Sequence, residues 1–464
     1  MKMLMRNLKI MLVLFFIVSA SLLIGLSYQQ YRSKTELYIA AGENKAALRS
    51  RYAQAGTIFD SDGLILAQSV DGDRVYCEDS AIAKSVLHIV GDYTHNIGNT
   101  VEASYQGILL GNDRNIFRQF YLDILGKGLS GDDITLTISG ELSKKAYNLL
   151  DGRNGSVVLL NYKTGAVLCS VSSPSTSPSS VIAYEDITGT VLFNRALSGA
   201  YAPGSTFKII TSASYLTSNI YDPSLTLDCE SVSTVDPNGA SESGEGHGEV
   251  DFMSAFARSC NVFFGQVGVT LGNERIMNTA RVFGYETAFS LDRLSVKSGK
   301  IEVGNDPFTL SWLSIGQPLA DSTLYTTPLH MAMIAGAIGN DGTMQKPHII
   351  EYATTPSGEK YMKLKPQPLL EITNPATAEQ LEIMMIECTK SGTGTAAAIS
   401  GYTVASKTGT VQVDGQKNNA LCVAYIVEDD MPYAVAVIVE EGGSGGGTAA
   451  PIAGDMLSAA VNAS

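Results

Sequence analysis

Tyr201 to Ser212 reads YAPGSTFKIITS. The Pro203-Gly204 pair makes a turn, and the apolar periodicity behind it predicts a helix whose first turn contains Ser205. Free backbone N–H groups and the helix dipole there favour a developing negative charge. Residues three apart share a helix face, so the Lys208 amine is expected over the Ser205 hydroxyl, as a weak nucleophile requires of its base. Taken alone, the pair reads first as an ordinary helix cap.

Two distant segments add chemistry to it. Ser259-Cys260-Asn261 ends an apolar helical stretch, DFMSAFAR, and sets a hydroxyl and a carboxamide two residues apart. SKTGTVQV (Ser406 to Val413) alternates as a strand, with Lys407 and Gly409 on one side. A glycine there is expected to let an extended substrate lie against the strand beside the Lys407 charge. The plain alternatives are a solvated helix end for Ser259 and an exposed edge strand for Lys407.

Composition limits the options. The 464 residues suffice for two or three folding units, and 45% apolar with 17% charged is a globular balance. A formal charge of -14 argues against a nucleic-acid partner. Lys2, Arg6 and Lys9 precede the uncharged run Ile10 to Leu26, which with Ser27 and Tyr28 is long enough at about 1.5 Å per residue to cross a hydrocarbon core of roughly 30 Å. The basic flank favours a cytoplasmic N-terminus, with the remainder outside the membrane. A cleaved signal peptide ending near Val18-Ser19-Ala20 is the competing reading; the apolar run continues past it. Six cysteines show neither a dense disulfide framework nor a CxxC metal pattern, so no zinc site or cofactor is expected, and pairing stays open.

Along the chain, Thr35 to Arg51 reads as a helix, and Ala55 to Ser69 as a hairpin turning at Asp60-Ser61-Asp62-Gly63. Short mixed pieces follow to residue 130. From Asp132, DITLTIS reads as a strand, ELSKKAYNLL as a helix, and GSVVLLNYKTGAVLCSVSS as two strands joined at Lys163-Thr164-Gly165. Ser172 to Ser180 is a loop by composition. The pattern is helical from Phe193 to Leu216 and, with glycine breaks, to about residue 390. TVASKTGTVQV and AVAVIVE close the chain as strands before a glycine run and a helix from about Ala449. Strands, a helical block and strands again imply an α/β layer whose sheet joins distant segments.

In chain order, Ser205/Lys208, Ser259/Asn261 and Lys407-Thr408-Gly409 match the SxxK, SxN and KTG set of penicillin-binding proteins and class A β-lactamases. The chain resembles a penicillin-binding transpeptidase, and LFNRALSGAYAPGSTFKI, HGEVDFMSAFARSCN, SIGQPLADSTLYTTPLHMA and the closing GGTAAPIA extend the likeness over most of residues 132–464. Arg51 to Ala67 resembles the short N-terminal module of class B members, departing from it at Ala55 and Ser61, where arginine is usual. Too little chain precedes residue 132 for a glycosyltransferase domain, so a monofunctional class B protein is expected.

The resemblance implies the serine β-lactamase/penicillin-binding transpeptidase fold, an α/β (α+β) arrangement with a central antiparallel sheet and a helical subdomain. The implied layout is a cytoplasmic tail (1–9), a transmembrane anchor (10–28), a pedestal (29–131) and a transpeptidase domain (132–464). It further implies that Ser205 attacks a D-Ala-D-Ala stem peptide and passes the acyl group to a neighbouring stem amine. Lys208 would be the base, its pKa lowered by burial and by Lys407. Ser259 would relay the proton, Asn261 hold the substrate amide, and the N–H groups of Ser205 and Thr410 form the oxyanion hole. Lys407, Thr408 and Thr410 would bind the substrate carboxylate along the strand that Gly409 opens. Expected partners are the stem peptides, β-lactams, the membrane and a membrane glycan polymerase. The alternatives are a membrane-anchored β-lactamase and a penicillin-sensing receptor domain. No ExxLN glutamate favours a class A lactamase, and Asn261 stands where class D members usually have valine. A GxSxG hydrolase at Gly442 to Gly446 fails because no histidine follows His348. GGSGGG reads instead as a mobile loop near the cleft, His247 as a brace or a turn residue, and Gln317 and Asp321 as structural.

Overall fold

The computed structural model describes residues 2–40, 52–93, 95–126, 130–178, 190–230, 239–242, 245–319, 321–363 and 365–463. The chain divides into two units, residues 1–53 with 70–74, and the remainder. In the first, helix α1 (Lys2–Ala40) contains Lys9–Ser27, long and apolar enough to cross a membrane. The helix expected at Thr35 is the continuation of α1; residues 41–51 lie outside the described residues.

The second unit opens with the hairpin. β1 (Ile58–Phe59) and β2 (Ile65–Val70) pair antiparallel. Asp60 shapes the turn, its Oδ1 accepting from the N–H groups of Asp62 at 2.9 Å and Leu64 at 2.7 Å. β3 (Asp133–Leu136) runs parallel to β1. Helix α2 (Gly140–Leu150) follows, capped by Ser139 and closed by a left-handed Asp151. β4 (Gly155–Asn161) and β5 (Val167–Ser173) form the predicted hairpin, turned by Asn161 and a positive-φ Gly165. Ser172 and Ser173, expected in a loop, still belong to β5, and residues 179 and 180 of that stretch lie outside the described residues.

Helical structure from Phe193 to Leu216 is not continuous. One turn at Arg195–Ser198 gives way to non-helical chain at residues 199–202, and Pro203, whose ring and missing N–H oppose a helix interior, stands at the start of the next turn. A 3₁₀ turn, Gly204–Phe207, then leads into α3 (Lys208–Leu216). Beyond it come α4 (Phe252–Arg258), α5 (Asn261–Leu271), α6 (Pro307–Ser314) and α7 (Pro328–Ile338). The block to residue 390 is less helical than expected, because short strand pairs such as Thr226–Cys229 with Gly248–Asp251 interrupt it. Strands this short show too few alternations to be read from sequence. β6 (Ile350–Thr354) pairs antiparallel with β3, and α8 (Pro375–Ser391) follows.

Three strands, not two, precede the last helix: β7 (Val404–Val411), β8 (Asn419–Ile426) and β9 (Tyr433–Val439). β8 was absent from the sequence expectation because a strand covered on both faces reads as a continuous apolar run without alternation. With α9 (Ala450–Asn462) they complete the expected layer. The sheet order is β7-β8-β9-β4-β5, antiparallel throughout, so segments far apart in sequence share one sheet and β7 is its edge. α2 and α9 cover one face, burying Val157, Leu159, Val171, Val437 and Met456. α7 covers the other, and Gly336 lets it approach Tyr162 and Ala434.

Leu159 lies fully buried under α2 and α9. Leu159→Ala leaves a cavity there and is expected to cost about 2–5 kcal/mol, read as a lower midpoint of thermal unfolding.

Candidate active site

The nucleophile segment is held against β7 by close backbone packing. Gly204 has φ +53°, and a Cβ there would come within 2.7 Å of Val411 Cγ2. Its N–H donates to the carbonyl of Gly316 at 3.0 Å, and Gly316 itself has φ +83°. Ser205 follows, half-buried, in the 3₁₀ turn and not yet in the α-helix. It lines a cleft of ≈ 650 Å³ together with Ser259, Asn261, Thr408 and Thr410.

Lys208 is fully buried. Its Nζ donates to the Ser259 carbonyl at 2.5 Å, to Asn261 Oδ1 at 2.7 Å and to Ser259 Oγ at 3.3 Å. Burial first, then the nearby Lys407 charge, lower its pKa to about 7, while Glu242 opposes the shift. The expected overlay on Ser205 is not formed: among the described residues no hydrogen bond joins Lys208 to the Ser205 hydroxyl. The acceptors on the Ser259 side claim the amine instead.

Ser259 is placed by an unusual backbone. It caps α4 in the left-handed region, at φ 63° and ψ 38°, and the bend separates α4 from α5. Lys407 Nζ donates to its Oγ at 2.9 Å. Asn261 opens α5; its Nδ2 donates to the Ser241 carbonyl at 2.9 Å, which leaves Oδ1 facing Lys208. Glu242 Oε1 accepts from the N–H groups of Asn261 at 2.5 Å and Val262 at 3.1 Å, completing the helix N-terminus.

On β7 the side chains divide by pleat. Lys407 is fully buried behind the cleft, reaching Ser259 and the Thr408 carbonyl, and burial lowers its pKa. Thr408 and exposed Thr410 line the cleft; their hydroxyls meet Thr393 Oγ1 at 2.5 Å and the Gly445 N–H at 3.1 Å. A Cβ on Gly409 would lie 3.1 Å from the Pro203 carbonyl and 3.3 Å from Thr206 Cγ2. The glycine thus admits the chain's own nucleophile turn, where the sequence suggested room for substrate.

Thr393 and Trp312, not singled out from sequence, lie in the cleft wall, and Gly443, Ser444 and Gly446 of the glycine run line it, near the cleft as expected. Gln317, expected to be structural, also lines it and bonds Gln412. The His247 carbonyl accepts from Arg258 at 3.0 Å, bracing the end of α4. Folding also brings together donors that no CxxC spacing announced. Ligand atoms of Cys229, Glu242, His247 and Cys260 all lie within 4.8 Å of one another, and two sulfurs, an imidazole and a carboxylate could hold a divalent ion such as zinc. Their separation in sequence hid them; His247 and Cys260, both within the second-motif segment, were the available signals.

The chain is similar to proteins of one known family. The family description "Penicillin binding protein transpeptidase domain" matches residues 155–458. Peptidoglycan D,D-transpeptidase PbpA of Mycolicibacterium smegmatis is 29% identical over 92% of this chain and 94% of its own length. MrdA of Escherichia coli, also named a peptidoglycan D,D-transpeptidase, is 26% identical over 76% of this chain and 63% of its own length. The ceftriaxone acyl-enzyme complex of penicillin-binding protein A from Mycobacterium tuberculosis superposes with a TM-score of 0.80 at 27% identity, covering 89% of this chain and 100% of that one.

Gly316→Ala would force an alanine into a positive φ and drive its methyl into the Gly204 backbone. The expected outcome is a loss of more than about 1 kcal/mol of stability, measured as a lower midpoint of denaturant unfolding.

Proposed function

This chain belongs to the penicillin-binding protein transpeptidase family, and from that premise we propose that it is a peptidoglycan D,D-transpeptidase that β-lactams inhibit by acylating Ser205. The observation that carries the reading is the buried Lys208 amine, with a pKa near 7, held on Ser259 and Asn261 in the wall of the open cleft that Ser205 also lines. A neutral amine can take the Ser205 proton as Oγ attacks the penultimate D-alanine carbonyl. Bonds of this kind commonly tighten only when substrate is bound, which accounts for the present hold of Lys208 on Ser259. The N–H groups of Ser205 and Thr410 receive the oxyanion. The proton passes through Ser259 to the leaving D-alanine amine, and an amine of a neighbouring stem then attacks the acyl-enzyme and regenerates Ser205.

Thr408 and Thr410 offer hydroxyls to the substrate carboxylate, while Lys407 supplies charge from behind and holds Ser259. Asn261 is both a substrate contact and the acceptor that aligns Lys208. The proposed organisation is a tail at 1–9, an anchor at 10–28, a pedestal at 29–131 and the transpeptidase domain at 132–464. Lys2, Arg6 and Lys9 before the apolar stretch of α1 support a cytoplasmic N-terminus, with the catalytic domain on the other side. A membrane glycan polymerase is the proposed partner of the anchor and pedestal; pulldown of that region without any polymerase would contradict it.

Intact-mass analysis after penicillin is expected to show a stable adduct on the wild type and none on Ser205→Ala. Rapid turnover of the drug would indicate a lactamase instead, and no adduct on either would sink both readings. The acylation rate is expected to rise with pH through about 7, because only the deprotonated Lys208 accepts the serine proton. Lys208→Arg, which stays charged, should lose acylation across the same range.

A further inference from the structure

β7 is an edge strand: β8 pairs with one side of it, and the other side borders the cleft. One residue past its end, both main-chain groups of Gln412 are already taken. Gln317 Nε2 donates to the Gln412 carbonyl at 3.1 Å, and the Gln412 N–H donates to Gln317 Oε1 at 3.0 Å. A single side-chain amide thereby makes the two-bond exchange that a residue of a neighbouring antiparallel strand would make.

Main-chain groups on one side of a strand recur every second residue, so the edge closed at Gln412 is the one offered by Thr410 and Thr408. A peptide added antiparallel to β7, with its carboxyl end at Thr408, would run its upstream residues toward Gln412. Gln317 stands where those residues would pair. Its position is tied to the nucleophile as well, because neighbouring Gly316 accepts the Gly204 N–H at 3.0 Å and the Gln317 N–H donates to the Trp312 carbonyl at 3.1 Å. The indole N–H of Trp312, buried and without a partner among the described residues, belongs to the same cleft wall.

We propose that Gln317 is a specificity-determining residue, an amide stop at the upstream end of the peptide groove that limits how many donor residues pair with β7. The inference rests on the transpeptidase reading and assigns the upstream peptide of the donor as what the stop meets. A longer peptide must break the Gln317–Gln412 pair to extend; a short one need not.

Full-length wild type, Gln317→Ala and Gln317→Glu are compared by acylation with two thioester donors ending in a D-alanyl thioester, one short and one carrying three further upstream residues. The expected result is a long-over-short ratio of rate constants at least threefold higher in Gln317→Ala, with faster amide hydrogen exchange at Gln412. Gln317→Glu keeps an acceptor for the Gln412 N–H but sets a carboxylate against its carbonyl, and should move the ratio the same way. Equal ratios in all three proteins, or equal losses for both donors, overturn the proposal. Failure of wild type to form a penicillin adduct would instead overturn the underlying transpeptidase reading.

Discussion

Two buried lysine amines converge on one serine hydroxyl, and the rest of the site follows from that crowding. Lys208 and Lys407 are both fully buried, and Nζ of each reaches Ser259 Oγ. Among the described residues neither makes an ion pair with a carboxylate. Burial disfavours the charged form of both, and at Lys208 the nearby Lys407 charge adds to burial and brings the pKa to about 7. The energy needed to keep such a pair out of water comes from neutral acceptors: the Ser259 carbonyl, Asn261 Oδ1 and the Thr408 carbonyl.

Those acceptors come from elements that only the assembled fold can align. Ser259 reaches the lysines because α4 ends in a left-handed residue, and Asn261 because Ser241 and Glu242 hold its amide and its N–H. Lys407 arrives on an edge strand whose sheet is completed by β4 and β5 from the other end of the domain. The three glycines around the nucleophile serve the same end. Gly204, Gly316 and Gly409 remove side chains where backbone must approach backbone, so the turn bearing Ser205 can rest against β7.

The structure also redistributes work among residues of one motif. Strand pleat puts Lys407 behind the cleft and the Thr408 and Thr410 hydroxyls on it. Gly409, on the lysine's side, faces the nucleophile turn and not the cleft. A three-letter motif on a strand therefore contains two functions that point in opposite directions.

The amino-acid sequence alone determined the family, the order of its three motifs and most elements near them, because turn residues, caps and motif residue types are local properties. Ser205, Lys208, Ser259, Asn261 and the Lys407–Thr410 run all reach one region, as their order suggested. The apolar stretch of α1 and the hairpin at Asp60 were legible for the same reason. What tertiary structure decided was direction and company: the aim of the Lys208 amine toward Ser259, the closing of the β7 edge by Gln317, and the meeting of Cys229, Glu242, His247 and Cys260. β8 escaped notice because complete burial erases the alternation that marks a strand. Contacts between side chains far apart in sequence depend on how the layers pack, and no local pattern encodes that packing.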